Sequence, residues 1–89
     1  MPQTHETIVE QVRRTVAEVL QVTVEEVALD RPFAEMAETD SLTLAEMASS
    51  LDAAFFIHID TPSISGARTP ADLVALVKRL LEIRLETPR

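Results

Sequence analysis

Residues 38–47 read "ETDSLTLAEM", and from Asp40 they open the run "DSLTLAEMASSLDAAF" that ends at Phe55. Asp40 suits a helix entry, because its short carboxylate can accept from the N–H groups that a first turn leaves unpaired. Behind it Leu42, Ala45, Ala48, Leu51 and Phe55 recur at helical spacing and form the expected apolar face. Leu44 and Met47 fall on a neighbouring stripe that should be partly exposed. This helix is expected from Ser41 to near Phe56, since "HIDTPSISGARTP" beyond it is dense in turn formers and holds the only glycine. Within that segment "TPSIS" has the makings of one short helical turn.

Toward the N-terminus, Ile8, Val9, Val12, Val16, Val19 and Leu20 share one face of a helix predicted over 5–20. Glu10 and Arg14 stand four apart on its outer side, a favourable pairing. The twenty residues between the two helices would be long for a structureless connection. Thr23 and Glu26 have capping-box spacing there, Val22 and Val27 the spacing of a hydrophobic staple, and Leu29 and Phe33 should tie the segment to the core. Toward the C-terminus Thr69 caps, Pro70 takes the first helical position and Asp72 lies in the first turn. Leu73, Leu76, Val77, Leu80 and Leu81 give that last helix its apolar face, Lys78, Arg79 and Arg84 lie toward its C-terminal end, and Pro88 stops it. Strand alternation is absent. The expected fold is all-α: a small four-helix bundle of three long helices and a short third one, with a long ordered loop between the first two.

Eighty-nine residues define one expected domain, 1–89 with its core at about 6–85. Such a domain buries only roughly 60–65% of its unfolded surface, enough for one modest core. No cysteine is present, so neither a disulfide framework nor a thiolate metal site can form. The N-terminus lacks a secretion signal, and "AAFFI" and "LVALV" are too short to cross a bilayer, so a soluble cytoplasmic protein is expected. The net charge of −7 argues against nucleic-acid binding. It is unevenly spread: Glu25 to Asp60 holds nine acids and one base, Arg31, whereas the remainder nets +1. That pattern is either a solubilising surface or a docking face for basic partners.

Ser41 stands where the helix begins. A nucleophilic serine needs a base and an oxyanion hole. The only histidines are His5, near the terminus, and His58, beyond a helix that leads away from Ser41; the glycine pattern of a nucleophile elbow is missing. Two distant histidines make no metal site either. A helix N-terminus does suit a covalently attached phosphate, because its N–H groups and dipole favour negative charge.

The order of a long helix, a long loop, "DSL" opening a second helix, a short helical segment and a final helix resembles the acyl and peptidyl carrier proteins. The likeness runs over about residues 6–85, with "VALDRPFAEM" before "DSLTLAEMASSLDAAF" similar to their loop-and-helix passage. The resemblance implies 4′-phosphopantetheine, delivered from coenzyme A to Ser41 by a phosphopantetheinyl transferase, with a terminal thiol that carries acyl, polyketide or aminoacyl groups as thioesters. It implies flanking recognition by Asp40 and Leu42, and contact by Leu44, Glu46, Met47 and Asp52 with an acyl-loading enzyme and downstream synthase or condensation enzymes. A freestanding, non-catalytic monomer that binds neither nucleic acid nor membrane is expected. Glu38 replaces a customary glycine and Ala37 a common leucine, which points to specialised polyketide or lipopeptide assembly over housekeeping fatty-acid synthesis. The alternative is an unmodified acidic helical interaction domain.

Overall fold

The computed structural model describes the backbone of residues 4–86 and the side chains of residues 4–83. In chain order it has α1 (His5–Leu20), a 3₁₀ turn (Val24–Glu26), α2 (Phe33–Met36), α3 (Ser41–Phe55), α4 (Thr61–Ser65) and α5 (Pro70–Glu86). The described residues contain no strand. Three long helices and a short one thus appear where expected. Pro88 lies outside the described residues, as does the side chain of Arg84. Among the described residues, no helix is long and apolar enough to cross a membrane.

α1 packs against both α3 and α5, and α4 rests on α3. Its seam is Ile8, Val12, Val16, Ala17 and Leu20, all buried. They meet Met47, Leu51 and Phe55 of α3 and Leu73, Val74, Val77 and Leu81 of α5 in one core. Each fully buried aliphatic side chain contributes roughly 1.5–3 kcal/mol relative to leaving it in water. The molecule is 19 Å thick at its narrowest, about two helix diameters. A single layer of side chains therefore fills the interior.

The α3 face departs from expectation. Met47 is completely buried, whereas Leu42 is 68% exposed and Ala45 is also exposed. The reason is rotational. At about 100° per residue, a row spaced in threes falls some 60° short of a full turn at each step. Leu42 and Leu51, nine apart, therefore point to opposite sides. The buried row is Leu44, Met47, Ala48, Leu51 and Phe55, with Leu44 only partly covered.

The connection from α1 to α3 is stitched down rather than loose. The Glu26 carboxylate accepts from the Thr23 amide at 3.1 Å and its hydroxyl at 3.0 Å, completing the capping box. Val27 and Phe33 are buried and Val22 and Leu29 partly so. Two arginines do what periodicity does not reveal. Arg13 Nε and Nη2 donate to the carbonyls of Val27 and Val24, both at 2.8 Å, pinning the turn to α1. Arg31 reaches the carbonyls of Glu26 and Glu35. The Phe33 amide donates to the Arg68 carbonyl and the Ala71 amide to that of Leu29, so the loop is also tied to the start of α5. α2, four residues after Pro32, is an addition to the expected set.

Candidate functional site

Ser41 is the first residue of α3, and its side chain is exposed. Asp40 makes the cap: its Oδ1 accepts from the Thr43 amide at 2.9 Å and the Thr43 hydroxyl at 2.8 Å. Those two bonds, the amide first, hold the Asp40 carboxyl below the ordinary aspartate range, with smaller help from the Asp40 and Leu42 amides. The carboxylate is therefore taken up by Thr43, and Ser41 beside it stays exposed. Leu42 projects beside it, exposed on the outer side of the helix.

Among the described residues, neither histidine is hydrogen-bonded to the Ser41 hydroxyl. His58 lies beside Asp52, with Nδ1 4.0 Å from Oδ2, and Asp52 is eleven residues along the helix, roughly 16 Å from Ser41. His5 is at the start of α1, where its Nδ1 is 3.2 Å from Lys78 Nζ. Neither arrangement places an imidazole on the serine.

The residues expected to meet partners separate into three groups. Glu46 is exposed. Leu44 is half-buried and Asp52 is committed to the fold, its Oδ1 accepting from the Ile59 amide at 2.9 Å. Met47 is off the surface altogether. The outward face of α3 thus consists of Ser41, Leu42, Ala45, Ser49, Ser50, Ala53 and Ala54 with Glu46 as its one exposed acid. Acidity gathers instead in the loop, where Glu25, Glu26, Asp30, Glu35, Glu38 and Asp40 stand against Arg31.

The Glu38 substitution has a plain structural account. Among the described residues only Gln21 and Phe56 have positive φ, so the backbone at Glu38 does not require glycine. Ala37 is fully extended, and the Thr39 hydroxyl donates to its carbonyl at 3.1 Å. The segment therefore reaches Asp40 by an extended path.

On its inner side Ser41 borders a groove of about 260 Å³ between α3 and α4. An accessible hydroxyl at the positive end of a fifteen-residue helix, opening onto a groove, fits a phosphodiester-linked group.

The comparisons agree with that geometry. A family model described as phosphopantetheine attachment site matches residues 10–77. The chain is 29% identical over 80 residues to an acyl carrier protein of Rhodococcus erythropolis, covering 90% of this chain and 88% of that one. To the meromycolate extension acyl carrier protein of Mycobacterium tuberculosis it is 28% identical over 82 residues, covering 92% and 71%. Among solved structures, the HMG-ACPI domain from the CurA module of Lyngbya majuscula, determined by NMR, has the same fold, with a TM-score of 0.74 at 18% identity over 94% of this chain and 89% of that one. The chain belongs to the phosphopantetheine attachment family. Its function is that of an acyl carrier protein, and its prosthetic group is 4′-phosphopantetheine.

Proposed function

We propose that Ser41 bears the 4′-phosphopantetheine and that the chain, without chemistry of its own, presents acyl, polyketide or aminoacyl groups to separate enzymes of fatty-acid or specialised polyketide or lipopeptide assembly. When bound, the group supplies a thiol for thioester carriage, which this cysteine-free chain lacks. The observation that carries the reading is the exposed Ser41 at the start of α3, next to a cap that Asp40 makes to Thr43 and not to the serine. Leu42 offers an apolar contact to the transferase beside it. The loading enzyme and the synthase or condensation enzymes approach the same end, where the loop acids steer basic surfaces in a salt-dependent way. A cytoplasmic monomer suits this shuttling role.

Intact mass after incubation with coenzyme A and a broad-specificity phosphopantetheinyl transferase tests the assignment. The expected result is one phosphopantetheinyl adduct that Ser41→Ala abolishes. An unchanged mass for folded wild-type protein, alongside a control carrier that is modified, would return the chain to the class of unmodified acidic interaction domains.

A further inference from the structure

The groove beside Ser41 has an apolar floor and a charged end. Leu44, Ala48, Ile59 and Ile64 line its floor, Ser49, Thr61 and Ser65 its edges, and Asp52 closes it with His58. Ser41 and Asp52 are eleven residues apart, about three turns, so both border this groove, roughly 16 Å apart along the helix. Its volume of about 260 Å³ is on the order of nine water molecules, space for a short group only.

The carboxylate at the far end is fixed and half-committed. Asp52 Oδ1 accepts from the Ile59 amide at 2.9 Å, which locks the side chain's direction. Oδ2 faces His58 Nδ1 at 4.0 Å, too far for a hydrogen bond, and the His58 side chain is 85% exposed. The Asp52 side chain itself is only 28% exposed. A hydrocarbon end pushed against Oδ2 would strip water from a carboxylate and give nothing back. A cationic N–H donor arriving along the same path would make a charge-assisted hydrogen bond in a partly dry site. The imidazole, largely in solvent, can yield its place at small cost.

We propose that the groove between α3 and α4 selects, among groups carried on Ser41, short acyl groups ending in an amine over plain hydrocarbon chains of equal length, with Asp52 as the selecting residue. This rests on the attachment of the carrier arm to Ser41 argued above.

The experiment loads the full chain, through the transferase, from β-alanyl- and butyryl-coenzyme A, whose acyl groups have the same number of non-hydrogen atoms. Intact mass first establishes the adduct on Ser41. Protection of each thioester from hydroxylamine is then measured relative to the corresponding free pantetheine thioester, and the Ile59 amide shift is followed by NMR. The wild type should protect the β-alanyl group about tenfold more than the butyryl group, the scale of one charge-assisted hydrogen bond. Asp52→Asn, which keeps an acceptor for the Ile59 amide, should erase that difference, and the Ile59 shift should respond to β-alanyl loading in the wild type only.

Equal protection of the two groups in the wild type overturns the proposal, whether or not the variant folds. So does a preference that survives in Asp52→Asn. Absence of the adduct in the first step removes the attachment reading itself, and the selection with it, and the mass spectrum separates that failure from the other two.

Discussion

The two ends of α3 are built on opposite terms. At the C-terminal end Leu51 and Phe55 are buried, Ile59 is buried just beyond, and Asp52 reaches forward to hold the Ile59 amide. Leu51, Phe55 and Ile59 turn inward there, and their burial fixes the geometry. At the N-terminal end Ser41 and Leu42 turn outward, and the backbone is held by polar contacts: Asp40 on Thr43, and a preceding loop tied down through Arg13 and Arg31. A hydroxyl meant for a visiting enzyme cannot be positioned by covering it. Hydrogen bonds to the backbone position it while leaving it in solvent, so the end proposed for modification and the end that stabilises can vary separately.

The sharpest way to break this contrast is to truncate one residue from each face. Met47→Ala should cost about 2–5 kcal/mol, because a fully buried side chain leaves a cavity in a single-layer core. Leu42→Ala should change stability by less than about 0.5 kcal/mol. Its effect should instead be several-fold slower modification by the transferase. Urea denaturation and adduct formation followed by mass measure the two. A Leu42→Ala loss comparable to that of Met47→Ala would mean that the exposed leucine is part of the scaffold, and the division between the ends would collapse.

Next in size is Arg13. Replacing it with Met keeps the stem but leaves the Val24 and Val27 carbonyls without their guanidinium donor. Bonds of this kind are worth about 1.5–3 kcal/mol each in favourable settings, and water would recover part of that here. A total loss of roughly 1–3 kcal/mol is expected. Hydrogen exchange should speed up across the 3₁₀ turn and Ala28 while the amides of Leu51 and Phe55 fall only with global stability. Uniform acceleration would show that the loop is no separate unit.

This comparison also explains how much could be read from the sequence. The three long helices, the Thr23–Glu26 capping box, the Asp40 and Thr69 caps and the place of Ser41 at the start of α3 all follow from local spacing and residue type, and all are present. The register of α3 was misleading because Leu42, Ala45, Ala48 and Leu51 form a row of threes, which winds around a helix of 3.6 residues per turn. α2 lacked a signal because a four-residue helix has almost no periodicity and Pro32 marks a turn as readily as a helix start. The arginine ties to carbonyls join residues eleven and fourteen apart on α1 and the loop, so no local pattern announces them. The groove at Ser41, made by two helices and their junction, was beyond reach for the same reason.

Acid should act on the polar end first. Asp40 and Asp60 both sit below the ordinary aspartate range because they cap: Asp40 chiefly through the Thr43 amide, Asp60 chiefly through the Ser63 hydroxyl and then its amide. A carboxyl whose folded pKa is depressed binds protons more readily when unfolded. Its stabilisation is complete above the unfolded value and disappears as pH falls through the folded one. Between neutral pH and about pH 3, the starts of α3 and α4 should therefore loosen. Asp40→Asn keeps a capping acceptor that does not titrate, so its urea midpoint should fall less than the wild type's over that interval. An identical fall would remove Asp40 from the acid response.

The smallest effect probes the end that burial controls. Phe56, which caps α3, has φ of 55° and is 82% exposed. A left-handed backbone costs a residue with a Cβ roughly 1–2 kcal/mol. Glycine removes that cost but has more freedom to lose on folding, which takes back about 0.5–1 kcal/mol. On these backbone contributions alone, Phe56→Gly should raise stability by about half a kcal/mol, seen as a higher urea midpoint at unchanged slope. Gln21→Gly, at the end of α1 with φ of 60°, should behave alike. A loss at Phe56 together with a gain at Gln21 would mean that the phenyl ring holds the α3–α4 junction from outside, and that even the buried end of α3 leans on a surface contact.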